Sequence, residues 1–315
     1  MLIIFFATLI LGLFFTNFLI NFLYQKKIQQ SIREEGPKHH FVKSGTPTMG
    51  GLAIIITTLI ILLLNKNLIN HYVLLLTFLL VGFGLIGVID DYLISVKRSN
   101  KGLKGYQKLS AQIFLALIFA GILTSLNHYE GTSGLLSSLG FTNKWFYAGL
   151  IAFIIVGASN AVNLTDGLDG LAGGTSIITL IGLLWITHTS SNPQFYYIEI
   201  FLIILIAAIL AFLWFNINPA KIFMGDTGSL SIGAVIGAVA ILIHKELLLI
   251  ILGGIFVIET LSVIIQVFSF KVFGKRVFKM SPFHHHLELH GLTEINIVIK
   301  FWIIQILLVV IALNL

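Results

Sequence analysis

Not one of the 315 residues is cysteine, which excludes disulfides, thiolate metal sites and cysteine nucleophiles. Charge is nearly as scarce: Asp, Glu, Lys and Arg make up 10% of the chain and hydrophobic residues 57%, whereas soluble domains carry about 25% charged residues. No polar stretch is long enough to build a separate domain, which excludes a soluble enzyme held by one anchor. The short alternating segments of outer-membrane barrel strands are missing as well. These absences leave an all-α polytopic membrane protein, a single integral-membrane domain over 1–315. At about 20 apolar residues per span, that length allows roughly ten spans.

The apolar runs lie at about residues 1–24, 50–64, 71–89, 109–126, 145–163, 171–188, 197–215, 229–244, 247–269 and 296–314. The second is short by itself and is expected to begin within the preceding loop. Met1–Tyr24 lacks a basic start and is followed by Lys26 and Lys27, the order of a retained first helix with its N-terminus outside. Ten spans put both termini on that side.

The net charge of +6 would suggest nucleic acid in a soluble protein, but here placement matters more than the total. One alternating set of loops, 25–49, 90–108, 164–170, 216–228 and 270–295, holds fifteen of the nineteen basic residues, and the opposite set only Lys66, Lys144 and Lys245. The positive-inside rule assigns the first set to the cytoplasm. All five aspartates, Asp90, Asp91, Asp166, Asp169 and Asp226, lie in or beside those same loops, with six of the ten histidines. Any chemistry is therefore expected at the cytoplasmic face, with no nucleic-acid partner.

Four polar stretches carry the candidates. Asp90-Asp91 closes the third apolar run, where the negative end of the helix dipole disfavours acids. Two adjacent carboxylates there call for a cation, from a metal or from Lys97, Arg98, Lys101, Lys104 and Lys108. Those basic residues also suit anionic lipid or a phosphate. Asn160-Ala-Val-Asn163-Leu-Thr-Asp166-Gly167-Leu168-Asp169-Gly-Leu-Ala-Gly-Gly174 is neither a Walker A loop nor GxGxxG. A Gly-rich turn explains one Asp-Gly, but not five polar side chains at membrane depth, where such groups are functional by default.

In Asn216-Ile-Asn-Pro-Ala-Lys-Ile-Phe223-Met-Gly-Asp226-Thr-Gly-Ser229, Asp226 reads as a helix N-cap or as a Mg²⁺ ligand. Phe223 reads as a loop hydrophobe or a base-stacking ring. The fourth stretch, Pro282-Phe-His284-His285-His286, lacks the spacing of about three to five residues usual between zinc-binding histidines. It suits hydrogen bonding to a diphosphate or sugar better. Glu259 and Gln266 lie inside the ninth run, and the role of Glu259 stays open between helix packing and a cavity lining.

Taken together, Thr46-Pro-Thr-Met-Gly-Gly51, Asp90-Asp91, Asn160–Gly174, Phe223–Ser229 and Pro282–His286 resemble the polyprenyl-phosphate N-acetylhexosamine-1-phosphate transferases, and among them the phospho-N-acetylmuramoyl-pentapeptide transferase branch. The resemblance implies a ten-helix enzyme of the bacterial cytoplasmic membrane, often a homodimer. It would transfer phospho-MurNAc-pentapeptide from UDP-MurNAc-pentapeptide to undecaprenyl phosphate with Mg²⁺, releasing UMP. It further implies Asp90 and Asp91 at the lipid-phosphate side and Asp226 on the metal. Lys43, Gly167, Leu168, Asp169 and Phe223 would form a uridine pocket. Asn160, Asn163, Asn216, Gln266, His284, His285 and His286 would line the cleft, with His285 among the catalytic residues; Asp166 and the lysines Lys97, Lys101, Lys104 and Lys108 are read as substrate-binding.

The residues themselves agree on phosphoryl transfer at an interface, where charge neutralisation and positioning outweigh covalent chemistry. A phosphate monoester with second pKa about 6 is mostly dianionic at pH 7, which favours direct attack by the lipid phosphate with Asp90 positioning or deprotonating it. An aspartyl–phosphate intermediate through Asp91 or Asp226 is the alternative. The rival readings are a GlcNAc-1-phosphate transferase and, in another class, a transporter or flippase with polar sites on broken helices at the midplane.

Overall fold

The computed structural model describes residues 1–26, 28, 45–95, 102–125 and 143–315. Lys43, Lys97 and Lys101 lie outside the described residues. Among the described residues every regular element is helical. The long helices are α1 (Leu2–Gln25), α3 (His71–Ser95), α4 (Gly105–Ser125), α5 (Lys144–Thr165), α6 (Leu171–Thr189), α7 (Phe195–Asn216), α8 (Gly225–Leu242), α10 (Gly254–Phe273) and α12 (Glu294–Leu313). These nine are long and apolar enough to cross a membrane, and α2 (Gly51–Leu64) is a shorter apolar helix of 14 residues. Two further pieces are brief: α9 (Leu249–Leu252) and α11 (Phe283–Glu288). The protein is a polytopic membrane protein.

At the centre stands α8, in which every residue from Thr227 to Leu242 is buried. Its sequence explains this place: Gly228, Ser229, Ser231, Gly233, Ala234, Gly237, Ala238 and Ala240 leave little bulk, so neighbouring backbones approach closely. Helices α3 and α5 pack most extensively against it. The hydroxyls along it are satisfied locally, as Ser231 donates to the Thr227 carbonyl at 2.8 Å. On the periphery, α1 turns only Thr8, Gly12, Thr16 and Leu23 inward. The three small residues, spaced by four, form its seam against α7, with Ile4, Phe5, Leu11, Leu19 and Ile20 partly buried beside it, while Ile3, Phe6, Ile10, Phe14 and Phe18 face outward.

The run expected at 247–269 is two helices rather than one. Gly253 and Gly254 interrupt it, separating α9 from α10. Backbone groups freed inside a membrane must find partners within the protein. Gln305 of α12, fully buried, supplies them: its Oε1 accepts from Ile255 N at 3.1 Å, and its Nε2 donates to the Leu252 carbonyl and, at 3.0 Å, to Thr179 Oγ1. Beyond Ser262, most apolar side chains of α10 are exposed.

Candidate active site

The site is organised by the first turn of α8. The leading N–H groups of any helix lack partners within it, and the positive end of its dipole favours negative charge. Three aspartates use this end. The Asp166 carboxylate accepts from Gly225 N. Asp91 accepts from Asp226 N at 3.1 Å through Oδ1, and from Thr227 N at 3.0 Å and Thr227 Oγ1 at 2.7 Å through Oδ2. Asp226 itself occupies the first turn. Gly225 has φ +72°, and a Cβ there would stand 2.5 Å from Asp91 Oδ2, so only glycine fits. On α3, a Cβ at Gly87 would meet the Asp226 backbone at 2.3 Å, which is why this helix can reach the turn at all.

Helix α3 does not stop at the aspartate pair but runs on to Ser95. The expected need for a cation is met in two ways. Asp91, buried, takes the amide dipoles of α8. Asp90 faces the other way, accepting from Leu103 N at 2.5 Å through Oδ1, with Lys108 Nζ 3.7 Å from Oδ2. Lys108 also contacts Asp226 Oδ2 directly, so its ammonium stands between the Asp90 and Asp226 carboxyls. Asn163 Nδ2 donates to Asp226 Oδ1 at 2.7 Å and to Ser229 Oγ at 2.9 Å. Asp90, Asp91, Asp166, Asp226, Asn163 and Lys108 are thus brought together. Burial first, and then the charges of Asp226, Asp91 and Asp169, push the Asp166 carboxyl well above the usual carboxylate range.

Other expected site residues serve as braces around this centre. Asn160 donates to Gln112 of α4 at 2.8 Å and not to an aspartate. Asn216 accepts from Gly170 N at 3.0 Å and donates to the Ile222 carbonyl at 2.8 Å, tying together the ends of α6, α7 and the loop before α8. Asp169 Oδ2 accepts from Asn218 Nδ2 at 3.0 Å and Ala220 N at 3.1 Å, and Asp169 N donates to Glu294 Oε1 at 2.6 Å. Leu168 is buried in a small core with Leu171, Ile255, Ile297, Val298 and Phe301, which anchors the Asp166–Asp169 loop. Phe223, half-buried, pairs its backbone with Pro47 and Gly50 at 2.8 Å each, docking the Thr46–Gly51 stretch beside the site.

The histidines lie together on α11. His284 is buried against Glu259, His285 Nδ1 meets Glu288 Oε2 at 2.7 Å, and His286 Nδ1 accepts from Lys279 N at 3.1 Å. His286 also stacks on Phe283, with ring centroids 5.6 Å apart. Desolvation, followed by His290 and Lys279, lowers the His286 pKa. Gln266 uses Oε1 for Val277 N and Phe278 N and Nε2 for the Phe278 carbonyl, folding the segment after α10 back onto it. Lys104 lies over the exposed Tyr106 ring, 6.0 Å from its centroid, away from the carboxylates. Glu294 and Asn218 had no distinguishing pattern in the sequence; their only signal was polarity, Asn218 in the loop that carries Asp226 and Glu294 at the end of the histidine loop.

Among the described residues no three His, Cys, Asp or Glu side chains form a ready-made metal cage. The donor set fits Mg²⁺, a hard cation usually held by one or two carboxylates with substrate phosphates completing its shell. Asp226 and Asp90 supply such carboxylates, and the histidines are engaged elsewhere.

Known proteins resemble this chain over nearly all of its length. Residues 71–244 match the model of glycosyl transferase family 4, and residues 43–55 match phospho-N-acetylmuramoyl-pentapeptide-transferase signature 1. The chain is 51% identical over 296 residues to the phospho-N-acetylmuramoyl-pentapeptide-transferase of Oceanobacillus iheyensis, covering 91% of this chain and 89% of that one. It is 50% identical over 298 residues to the enzyme of the same name from Staphylococcus carnosus (92% and 91%) and 48% identical over 315 residues to that of Halalkalibacterium halodurans (98% and 96%). By sequence identity over nearly its whole span, the chain belongs to the phospho-N-acetylmuramoyl-pentapeptide-transferase family, multi-pass proteins of the bacterial cytoplasmic membrane.

Proposed function

We propose that the protein transfers phospho-MurNAc-pentapeptide from UDP-MurNAc-pentapeptide to undecaprenyl phosphate, forming lipid I and releasing UMP. The observation that carries this reading is the cluster of Asp90, Asp226, Asn163 and Lys108 at the first turn of α8. It joins carboxylates for a cation, an ammonium and oriented polar groups on apolar helices, the combination that a lipid phosphate and a soluble diphosphate both require. We read ten spans, α2 included, with both termini outside and this site on the cytoplasmic face; the concentration of basic residues in the loops on that side supports the reading. The chain is read as a homodimer by family likeness alone.

Asp226, with Asp90 beside it, would hold Mg²⁺. When bound, the cation neutralises charge on the diphosphate as it develops. Lys108 binds the anionic oxygens of the incoming phosphate, and Asp90 Oδ2, 3.7 Å from the Lys108 ammonium, orients that phosphate for in-line attack. Asn163 holds the Asp226 carboxylate in its rotamer. Asp91 acts by positioning: both its oxygens are committed to α8, which favours direct displacement over a covalent intermediate on that residue. Lys43, Gly167, Leu168, Asp169 and Phe223 are assigned to the uridine side, Lys97, Lys101 and Lys104 to anionic headgroups, and His285 and His286 to the sugar–peptide arm, with Asn160, Asn216 and Gln266 bracing the cleft.

The test is purified protein with undecaprenyl phosphate, Mg²⁺ and either UDP-MurNAc-pentapeptide or UDP-GlcNAc. UMP release with the first and not the second is the expected result; equal turnover of both would leave only the superfamily.

A further inference from the structure

Glu259 is fully buried on the membrane-spanning helix α10 and takes no part in the proposed mechanism. A carboxylate withdrawn from water is costly unless its oxygens are hydrogen-bonded. Both oxygens of Glu259 go to one residue: Oε1 accepts from His284 N at 3.2 Å, and Oε2 faces His284 Nδ1 at 3.1 Å. The pair fixes both the backbone at the start of α11 and the orientation of the imidazole. The ring is itself buried, and its far nitrogen, Nε2, has no hydrogen-bond partner. That nitrogen is pressed onto the Asp166–Asp169 loop, where a Cβ on Gly167 would fall 2.3 Å from Nε2 and 2.7 Å from Cε1. The next residue back, Asp166, accepts from the first amide of α8. A chain of direct contacts therefore runs from α10 through His284 to the loop that closes one side of the site.

We propose that Glu259 is a positioning residue for nucleotide binding: it orients His284 so that the imidazole edge sets the Asp166–Asp169 loop against the start of α8. Gly167 is the matching surface, without a side chain because the ring occupies that space. This rests on the assignment of the loop to the uridine side made above. A hydrocarbon at position 259 would free the imidazole and leave the buried His284 N and Nδ1 without their acceptor, so a fall in Tm accompanies it whatever the role of Glu259. The readout that separates the roles is selectivity: a purely structural Glu259 would weaken UMP binding and raise KM for the lipid together.

The experiment measures three quantities in detergent: UMP affinity by calorimetry, KM for undecaprenyl phosphate, and Tm. For Glu259→Leu we expect UMP affinity weakened at least tenfold, KM for the lipid within twofold, and Tm lowered, since His284 N and Nδ1 lose their acceptor. Should Glu259→Leu not fold, Glu259→Gln keeps the volume and one acceptor oxygen and is expected to weaken UMP binding at least threefold. Gly167→Ala should give the same selective loss, and combining it with Glu259→Gln should add little, because both variants act on one contact. UMP affinity within twofold of wild type in the folded Glu259 variant overturns the inference alone, as does a loss of UMP affinity matched by an equal rise in KM for the lipid. A wild-type protein that binds no UMP overturns the proposed function and the inference with it.

Discussion

The carboxylate of Asp91 and the backbone N–H of Asp226 are joined at 3.1 Å, so one aspartate is held in the active site by another. The adjacent Asp90 faces away from this bond toward Lys108. Two neighbours of identical chemistry thus do different work, and their substitution should separate. In Asp91→Asn an amide replaces one of two acceptors facing three donors, leaving a buried donor unpaired at a cost of about 1–3 kcal/mol. A clear drop in Tm together with lost activity is expected. An Asp91→Asn protein with wild-type Tm and no turnover would assign Asp91 to the chemistry instead.

Asp226→Asn is expected to behave in the opposite way. The side chain is the only part altered, and the amide of residue 226 still reaches Asp91, so Tm without added metal should stay near wild type. Turnover should fall at least 100-fold, the scale at which one oriented electrostatic group acts in a transition state. Binding raises stability by mass action, so the Tm increase produced by Mg²⁺ in wild type should vanish in this variant. Retention of that increase would place the cation elsewhere.

Asp166 makes a pH-dependent prediction. Its carboxyl is raised in the fold by burial and by Asp226, Asp91 and Asp169. A group whose folded pKa lies above its unfolded value of about 3.9 favours the fold below that value and loses this contribution as pH rises through the folded pKa. Asp166→Asn removes the titration, so its Tm advantage over wild type should be small near pH 4 and largest above pH 7. Thermal melts across that range in metal-free buffer would show it, and a constant difference would refute it.

The interruption between α9 and α10 depends on Gln305. In Gln305→Leu, Ile255 N loses its acceptor in a dry interior while the Leu252 carbonyl keeps only Thr179 Oγ1, at 3.1 Å; the unsatisfied N–H costs about 1–3 kcal/mol. A lowered Tm, with residual activity in the fraction that folds, is the outcome to look for.

Sidedness can be tested with single cysteines because the chain has none of its own. Ser191, in the exposed turn after α6, and Lys275, in the exposed turn after α10, lie on opposite sides in the proposed topology. An impermeant thiol reagent added to intact cells should label Ser191→Cys and spare Lys275→Cys; the reverse pattern would move the site out of the cytoplasm.

Membrane residence, the positions of the long helices and the grouping of all five aspartates with the basic loops were legible in the sequence, because hydropathy and charge bias are sums over neighbouring residues. Which polar residue meets which was not. Nothing local distinguishes Asp90 from Asp91; only the arrival of α8 behind one of them does, made possible by Gly87 and Gly225. Asn163 and Asn160 stand three residues apart on α5, yet one binds Asp226 and the other Gln112. Gln266, expected to line the cleft, also ties down the loop after its own helix, a partner no local pattern announces. The run around residues 247–269 looked continuous because Gly253 and Gly254 do not lower its apolar character, and the break is tolerated because Gln305, fifty residues away, and Thr179 satisfy its backbone. In a low-dielectric interior each polar group must find a partner, and partners are assigned by the packing of distant helices, which no local window of sequence contains.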